Sequence, residues 1–152
     1  MSQLKRRSFL ILGLATLSAC GGRRRRSRRA AITGPSPELD ALIARHARDN
    51  GVPANLVHRV VRAESNYNPA ARNGPYYGLM QILPQTARTM GFDGAPEGLL
   101  DADTNLRYGV RYLRGAWIVA DGDEDEAVGW YRRGYYYEAK RKGLLRETGL
   151  RS

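Results

Sequence analysis

From Ser36 onward, apolar positions recur at helical spacing in short runs separated by Gly, Pro and Asn. Ser36-Pro37-Glu38 predicts a helix start: a capping hydroxyl, a proline where no N–H is needed, and an acid in the first turn. Leu39, Leu42 and Ile43 form its apolar stripe, and Gly51 ends it. Pro53 opens a second helix whose buried face is Leu56, Val57, Val60 and Val61. Asn66 to Pro75 is punctuated by Asn, Pro and Gly and reads as a loop. After the apolar run Leu79–Leu83, Pro84 begins a brief helix that Gly91 closes. Asp101 or Asp103 caps a longer helix to about Ala120, with Leu106, Val110, Leu113 and Trp117 facing inward. A last helix is expected to reach about Glu147, with Tyr135, Tyr136 and Tyr137 mostly packing it onto the rest. The pattern predicts one mostly α domain over residues 37–150.

The first 36 residues follow different rules. Lys5-Arg6-Arg7 precedes a short apolar run, Phe9 to Ala19, too short to cross a bilayer as a helix. Leu17-Ser18-Ala19-Cys20 looks like a lipobox, which makes residues 1–19 a lipoprotein signal peptide and Cys20 the acylated residue. Cys20 is the sole cysteine, so no intramolecular disulfide can form. Arg6-Arg7 also resembles a twin-arginine signal, and both export routes stay open. Gly21 after the cysteine leans towards the outer membrane, by resemblance to enterobacterial lipoproteins. Residues 20–36, rich in Gly, Arg, Ser and Pro, read as a disordered tether.

Charge changes the picture only in that segment. The formal net charge is +10, but nine of the 25 basic residues precede residue 30 and no acid precedes Glu38. The remaining 16 basic residues face 15 acidic ones, so the domain is close to neutral. A nucleic-acid binder should carry its basic charge on the folded surface, so nucleic acid is an unfavoured partner.

Within the domain, Glu64 follows Val57 by seven positions and Val60 by four, which puts it on the apolar face of its helix. A carboxylate there is costly unless paired or neutral, so Glu64 is expected to be partly buried and able to donate a proton. The bland alternative is an ion pair with Arg62 or Arg72 at the helix end. Gly78 would allow close backbone approach, and Met80 alone would be core filler. Gln81 lies among apolar residues and must bond either backbone or a polar ligand. His46 lacks a second ligand at metal spacing and reads as a surface or packing residue. The acidic run Asp121–Glu126 fails the calcium-loop template: the sixth position is Glu126 and the twelfth Arg132. Acids preceding a helix N-terminus are the better account.

Glu64-Ser65, Asn68-Pro69, Gly78-Leu79-Met80-Gln81, Pro84 and Thr86-Ala87, in that order, resemble the catalytic domain of the soluble-lytic-transglycosylase family. Asp101, Asn105-Leu106, Gly109 and Tyr112-Leu113 extend the resemblance, which covers roughly residues 37 to 134. It implies a lysozyme-like helical fold and peptidoglycan glycan strands as substrate. It implies that Glu64 is the catalytic acid, that Ser65, Asn73, Gly78, Met80 and Gln81 bind substrate or hold the loop, and that the Tyr131 hydroxyl bonds Glu64. No metal or organic cofactor is called for. Two departures stand out. Trp130 and Arg132 replace the family's usual Ala and Asn around Tyr131, and Asn73 stands where a Ser is common, in a loop one residue shorter.

No Asp or Glu lies between Glu64 and Asp93, so the motif region offers one carboxylate. Glycoside hydrolysis usually uses two. A single acid suffices when the substrate supplies its own nucleophile, as the resemblance implies for closure of a 1,6-anhydromuramic ring. A lysozyme-like muramidase and a catalytically impaired wall-binding lipoprotein remain as alternatives. The expected location is periplasmic, lipid-anchored through Cys20.

Overall fold

A computed structural model of the protein describes residues 34–151. The segments expected to be a signal peptide, an acylated Cys20 and most of a tether fall outside the described residues. Six helices follow: α1 (Pro37–Asn50), α2 (Ala54–Ser65), α3 (Pro84–Thr89), α4 (Ala102–Val119), α5 (Glu124–Arg133) and α6 (Tyr136–Lys142). A 3-10 helix covers Pro96–Leu100, and a small antiparallel ribbon pairs β1 (Arg72–Asn73) with β2 (Tyr76–Tyr77).

The caps act as their residue types dictate. Ser36 accepts the Leu39 N–H at 3.2 Å to start α1. Asp101, not Asp103, caps α4 by accepting the Thr104 N–H at 2.9 Å. Asp103 is thereby free to tie α4 to α1: it takes His46 Nε2 at 2.6 Å and pairs with Arg45 and Arg107. His46 is buried and contacts Asp103, which makes it a packing residue and not a surface one. In the acidic run, Asp123 caps α5 through the Glu126 N–H at 2.8 Å. Glu124 and Asp125 receive Arg59, and Asp121 receives Lys142.

Helix α4 runs through the centre of the core. Its Leu106, Val110, Leu113 and Ala116 are fully buried, in one core cluster with Ile43 of α1 and with Val57 and Val61 of α2. Each such Leu or Val contributes about 1.5–3 kcal/mol by leaving water. Gly109 on the same helix leaves space for Met80, since a Cβ there would stand 2.5 Å from the Met80 sulfur. This packing brings the Gly78–Gln81 segment, the end of α2 and the end of α5 together on one side.

Three expectations change. The predicted loop Asn66–Pro75 contains β1, because Arg72 and Asn73 can pair with Tyr77 and Tyr76 across the Gly74-Pro75 turn. The last helix stops at Lys142, well before Glu147, because Gly143 adopts a left-handed φ of 74° and its N–H closes back on the helix. Of the three consecutive tyrosines only Tyr135 is packed; Tyr136 and Tyr137 are exposed, since a helix cannot turn adjacent residues to one face.

Candidate active site

Glu64 lies in the last turn of α2, which ends as Asn66 takes a left-handed conformation (φ 48°). Its side chain is 23% exposed and lines a hollow of about 450 Å³. Ala63, Asn73, Tyr76, Gln81, Tyr131 and Arg132 line that hollow with it. Among these lining residues Glu64 is the only acid. Its partner is Arg132 from α5, whose Nε donates to Oε1 at 3.0 Å. Neither Arg62 nor Arg72 takes that place: Arg62 lies over the Tyr67 ring, and Arg72 lies over Tyr77 and donates to its hydroxyl at 2.6 Å.

The floor behind the hollow is the Gly78–Gln81 turn, and its backbone is held at nearly every atom. Ser65 Oγ donates to the Leu79 carbonyl at 2.8 Å, with the Val61 carbonyl at 3.1 Å, so the end of α2 is tied to the turn. Gln81 has a left-handed φ of 47°, unusual for a residue with a Cβ. Its Nε2 donates to the Gly78 carbonyl at 2.9 Å and the Ala71 carbonyl at 3.2 Å, which offsets that strain. Below, the buried Asn105 accepts the Met80 N–H at 2.9 Å and donates to the Tyr77 and Leu99 carbonyls at 2.8 and 2.7 Å. Gly78 has φ 70°, and a Cβ on it would stand 2.3 Å from both Asn105 Nδ2 and the Leu99 carbonyl oxygen. No other residue fits.

Tyr131 enters from α5, and its hydroxyl donates to the Met80 carbonyl at 2.8 Å. This corrects the expected bond to Glu64: the phenol reaches the turn, and the carboxyl takes Arg132. Burial pushes the Tyr131 phenol well above the ordinary tyrosine value, with the nearby Glu64 charge acting in the same direction. Tyr131 is thus a neutral hydrogen-bond donor at physiological pH.

The structure brings Glu64, Asn73, Gln81 and Tyr131 to one hollow. It does not bring Gly78, Met80 or Ser65 there. Gly78 abuts Asn105, the Met80 side chain is fully buried in the core, and Ser65 bonds inward to carbonyls. Their sequence clustering reflects how the turn is held. Two lining residues went unrecognised in the sequence. Tyr76 is 43% exposed because the ribbon's alternation turns Tyr77 inward and Tyr76 outward. Arg132 was visible only as a departure from the family pattern. A second hollow of about 340 Å³ adjoins the first; Tyr76, Gln81, Tyr131 and Arg132 wall both, and Thr86, Tyr112, Arg133 and Gly134 extend the second.

Comparison with known proteins identifies the family. The family model described as the transglycosylase SLT domain matches residues 41–145. Peptidoglycan transglycosylase gp16 of Escherichia phage T7 is 31% identical over 102 residues, covering 64% of this chain and 8% of the phage protein. Membrane-bound lytic murein transglycosylase C of Mannheimia succiniciproducens is 32% identical over 87 residues, covering 52% of this chain and 24% of its own. The crystal structure of the 70 kDa soluble lytic transglycosylase of Escherichia coli superposes with a TM-score of 0.59 at 25% identity, over 72% of this chain and 18% of that one. The chain therefore spans under a quarter of each of these relatives. With a mostly helical, lysozyme-like fold and a family match from α1 to beyond α6, the chain belongs to the transglycosylase SLT domain family.

Proposed function

We propose that the domain is a peptidoglycan lytic transglycosylase that cleaves the β-1,4 bond between N-acetylmuramic acid and N-acetylglucosamine without water. The observation that carries this reading is the lone carboxylate: Glu64 is the only acid lining either hollow. An inverting or retaining hydrolase usually employs a second carboxyl group, at a set separation across the scissile bond. With one, the proton must make a round trip. Glu64 gives its proton to the glycosidic oxygen as the C1–O bond breaks, and the muramic acetamido oxygen closes onto C1. The C6 hydroxyl then displaces that oxygen at C1, Glu64 takes the hydroxyl proton back, and a 1,6-anhydro ring results. The names of the relatives support the same substrate and reaction.

Tyr131 and Ser65 would act by holding the Gly78–Gln81 turn against Glu64, and Asn73 and Gln81 would offer polar groups to the sugar. The N-terminal segment would anchor the domain to a bacterial membrane, the outer one by preference, through acylated Cys20. The Glu64–Arg132 ion pair favours one competing reading, a wall-binding protein with impaired catalysis, because the carboxyl is occupied in the free protein.

Mass spectrometry of peptidoglycan digested by wild type and by Glu64→Gln tests the proposal. Anhydromuropeptides from wild type and none from the variant are expected. Reducing-end products would instead indicate a hydrolase. Pelleting with wall and no product at all would indicate a binder.

A further inference from the structure

Arg132 presents more hydrogen-bonding capacity than Glu64 uses. Only its Nε is engaged, with Glu64 Oε1 at 3.0 Å; among the described residues neither Nη atom has a hydrogen-bond partner. The side chain is 53% exposed and walls both hollows. Arg133 lines the second hollow beside it, with its guanidinium 3.8 Å from the Trp130 ring centroid, which limits its freedom. Among the lining residues these two are the only cations and Glu64 is the only anion. The groove therefore has an excess of positive charge on the α5 side, although the domain as a whole is nearly neutral.

We propose that Arg132 is a specificity-determining residue that receives a carboxylate on the muramyl side arm, and that this carboxylate competes it away from Glu64. The proposal rests on the transglycosylase reading and names the feature of the glycan that the site selects. A guanidinium offers two parallel N–H donors to a carboxylate, a fit an ammonium lacks. An ion pair this exposed is worth at most about 1 kcal/mol, so an incoming carboxylate with two well-aligned bonds can displace it. Displacement leaves Glu64 Oε1 open to the glycosidic oxygen. A neutral glycan has nothing to exchange and meets the carboxyl still occupied. The carboxylate has two sources: the lactyl group of peptide-free strands, or the stem peptide where one is attached.

The test compares muramyl oligosaccharides in three forms: peptide-free with a free lactyl carboxylate, peptide-bearing, and peptide-free with the carboxyl reduced to an alcohol. Wild type should show kcat/KM on the order of fivefold higher for a carboxylate form than for the reduced form, the size of one exposed ion pair. Arg132→Gln should bring that ratio close to one, and Arg132→Lys, which keeps charge but not the fork, should restore part of it. A preference for the peptide-free form assigns the lactyl group; a preference confined to the peptide-bearing form assigns the stem. Equal rates for all three in wild type, or an unchanged ratio in Arg132→Gln, would overturn the proposal. Calorimetric binding of the same sugars to Glu64→Gln separates the two readings. Anionic preference in binding without cleavage by wild type would sink the transglycosylase assignment alone. Cleavage without preference would sink the subsite alone.

Discussion

The Tyr131 hydroxyl spans from α5 to the Met80 carbonyl at 2.8 Å, joining the last turn of one helix to the turn that backs the groove. Tyr131→Phe removes that bond and leaves a buried carbonyl unpaired, which should cost about 1–2 kcal/mol in denaturant unfolding. The pH dependence has a definite sign. A phenol held above its unfolded value of about 10 contributes stability that is complete below that pH and is lost as pH climbs towards the native value. Above pH 10 the stability of Tyr131→Phe should therefore fall less steeply than that of wild type. Tyr135, raised likewise by burial, keeps part of the slope in both.

Asn105 is the most heavily used polar side chain under the site. Its amide satisfies one N–H and two carbonyls, all on buried backbone. Asn105→Ala should lose about 3 kcal/mol or more, since each stranded group carries its own desolvation cost. Gly78→Ala should be as damaging, because a Cβ would collide with this same amide. Chemical denaturation measures both. A loss under 1 kcal/mol in either would mean that the turn relaxes freely.

Asp103 should govern much of the acid sensitivity of the α1–α4 contact. The hydrogen bond from His46, then the charges of Arg45 and Arg107, hold its carboxyl below the ordinary aspartate value. Stability from such a group is fully present above its unfolded value of about 3.9 and disappears as pH falls through the native one. Asp103→Asn should lower stability by about 1 kcal/mol at neutral pH, a figure discounted for partial exposure, and should flatten the acid limb of a thermal-unfolding profile. Parallel acid limbs for the two proteins would contradict this.

Tyr76 stands at the mouth of both hollows with its ring half in solvent. Tyr76→Ala should leave stability within about 0.5 kcal/mol, as expected for an exposed position. It should weaken binding of glycan oligomers to Glu64→Gln protein several-fold, if the ring stacks on a sugar. Affinity equal to that of the parent would remove Tyr76 from the substrate path.

The sequence alone determined the helices, because their causes are local. Ser36 and Pro37 supply the capping hydroxyl and the fixed φ of a helix start, and on a helix Leu56, Val57, Val60 and Val61 align on one face. It also placed Glu64 at the end of α2, a matter of counting along one helix. The two-residue ribbon was illegible, being too short to leave a periodicity, and the end of the last helix depended on the φ that Gly143 adopts. Tertiary structure decided which side chains meet. The same Asp-rich stretches could have capped or paired in several ways, and Asp101 rather than Asp103 caps α4 because α1 presents His46 to the other. Whether Tyr131 or its neighbour Arg132 would reach Glu64 was not written in either residue: it depends on the rotation of α5 against α2, some 68 positions away in the chain. Spacing sets what lies on one helix face, but only the packing of one helix on another sets what that face confronts.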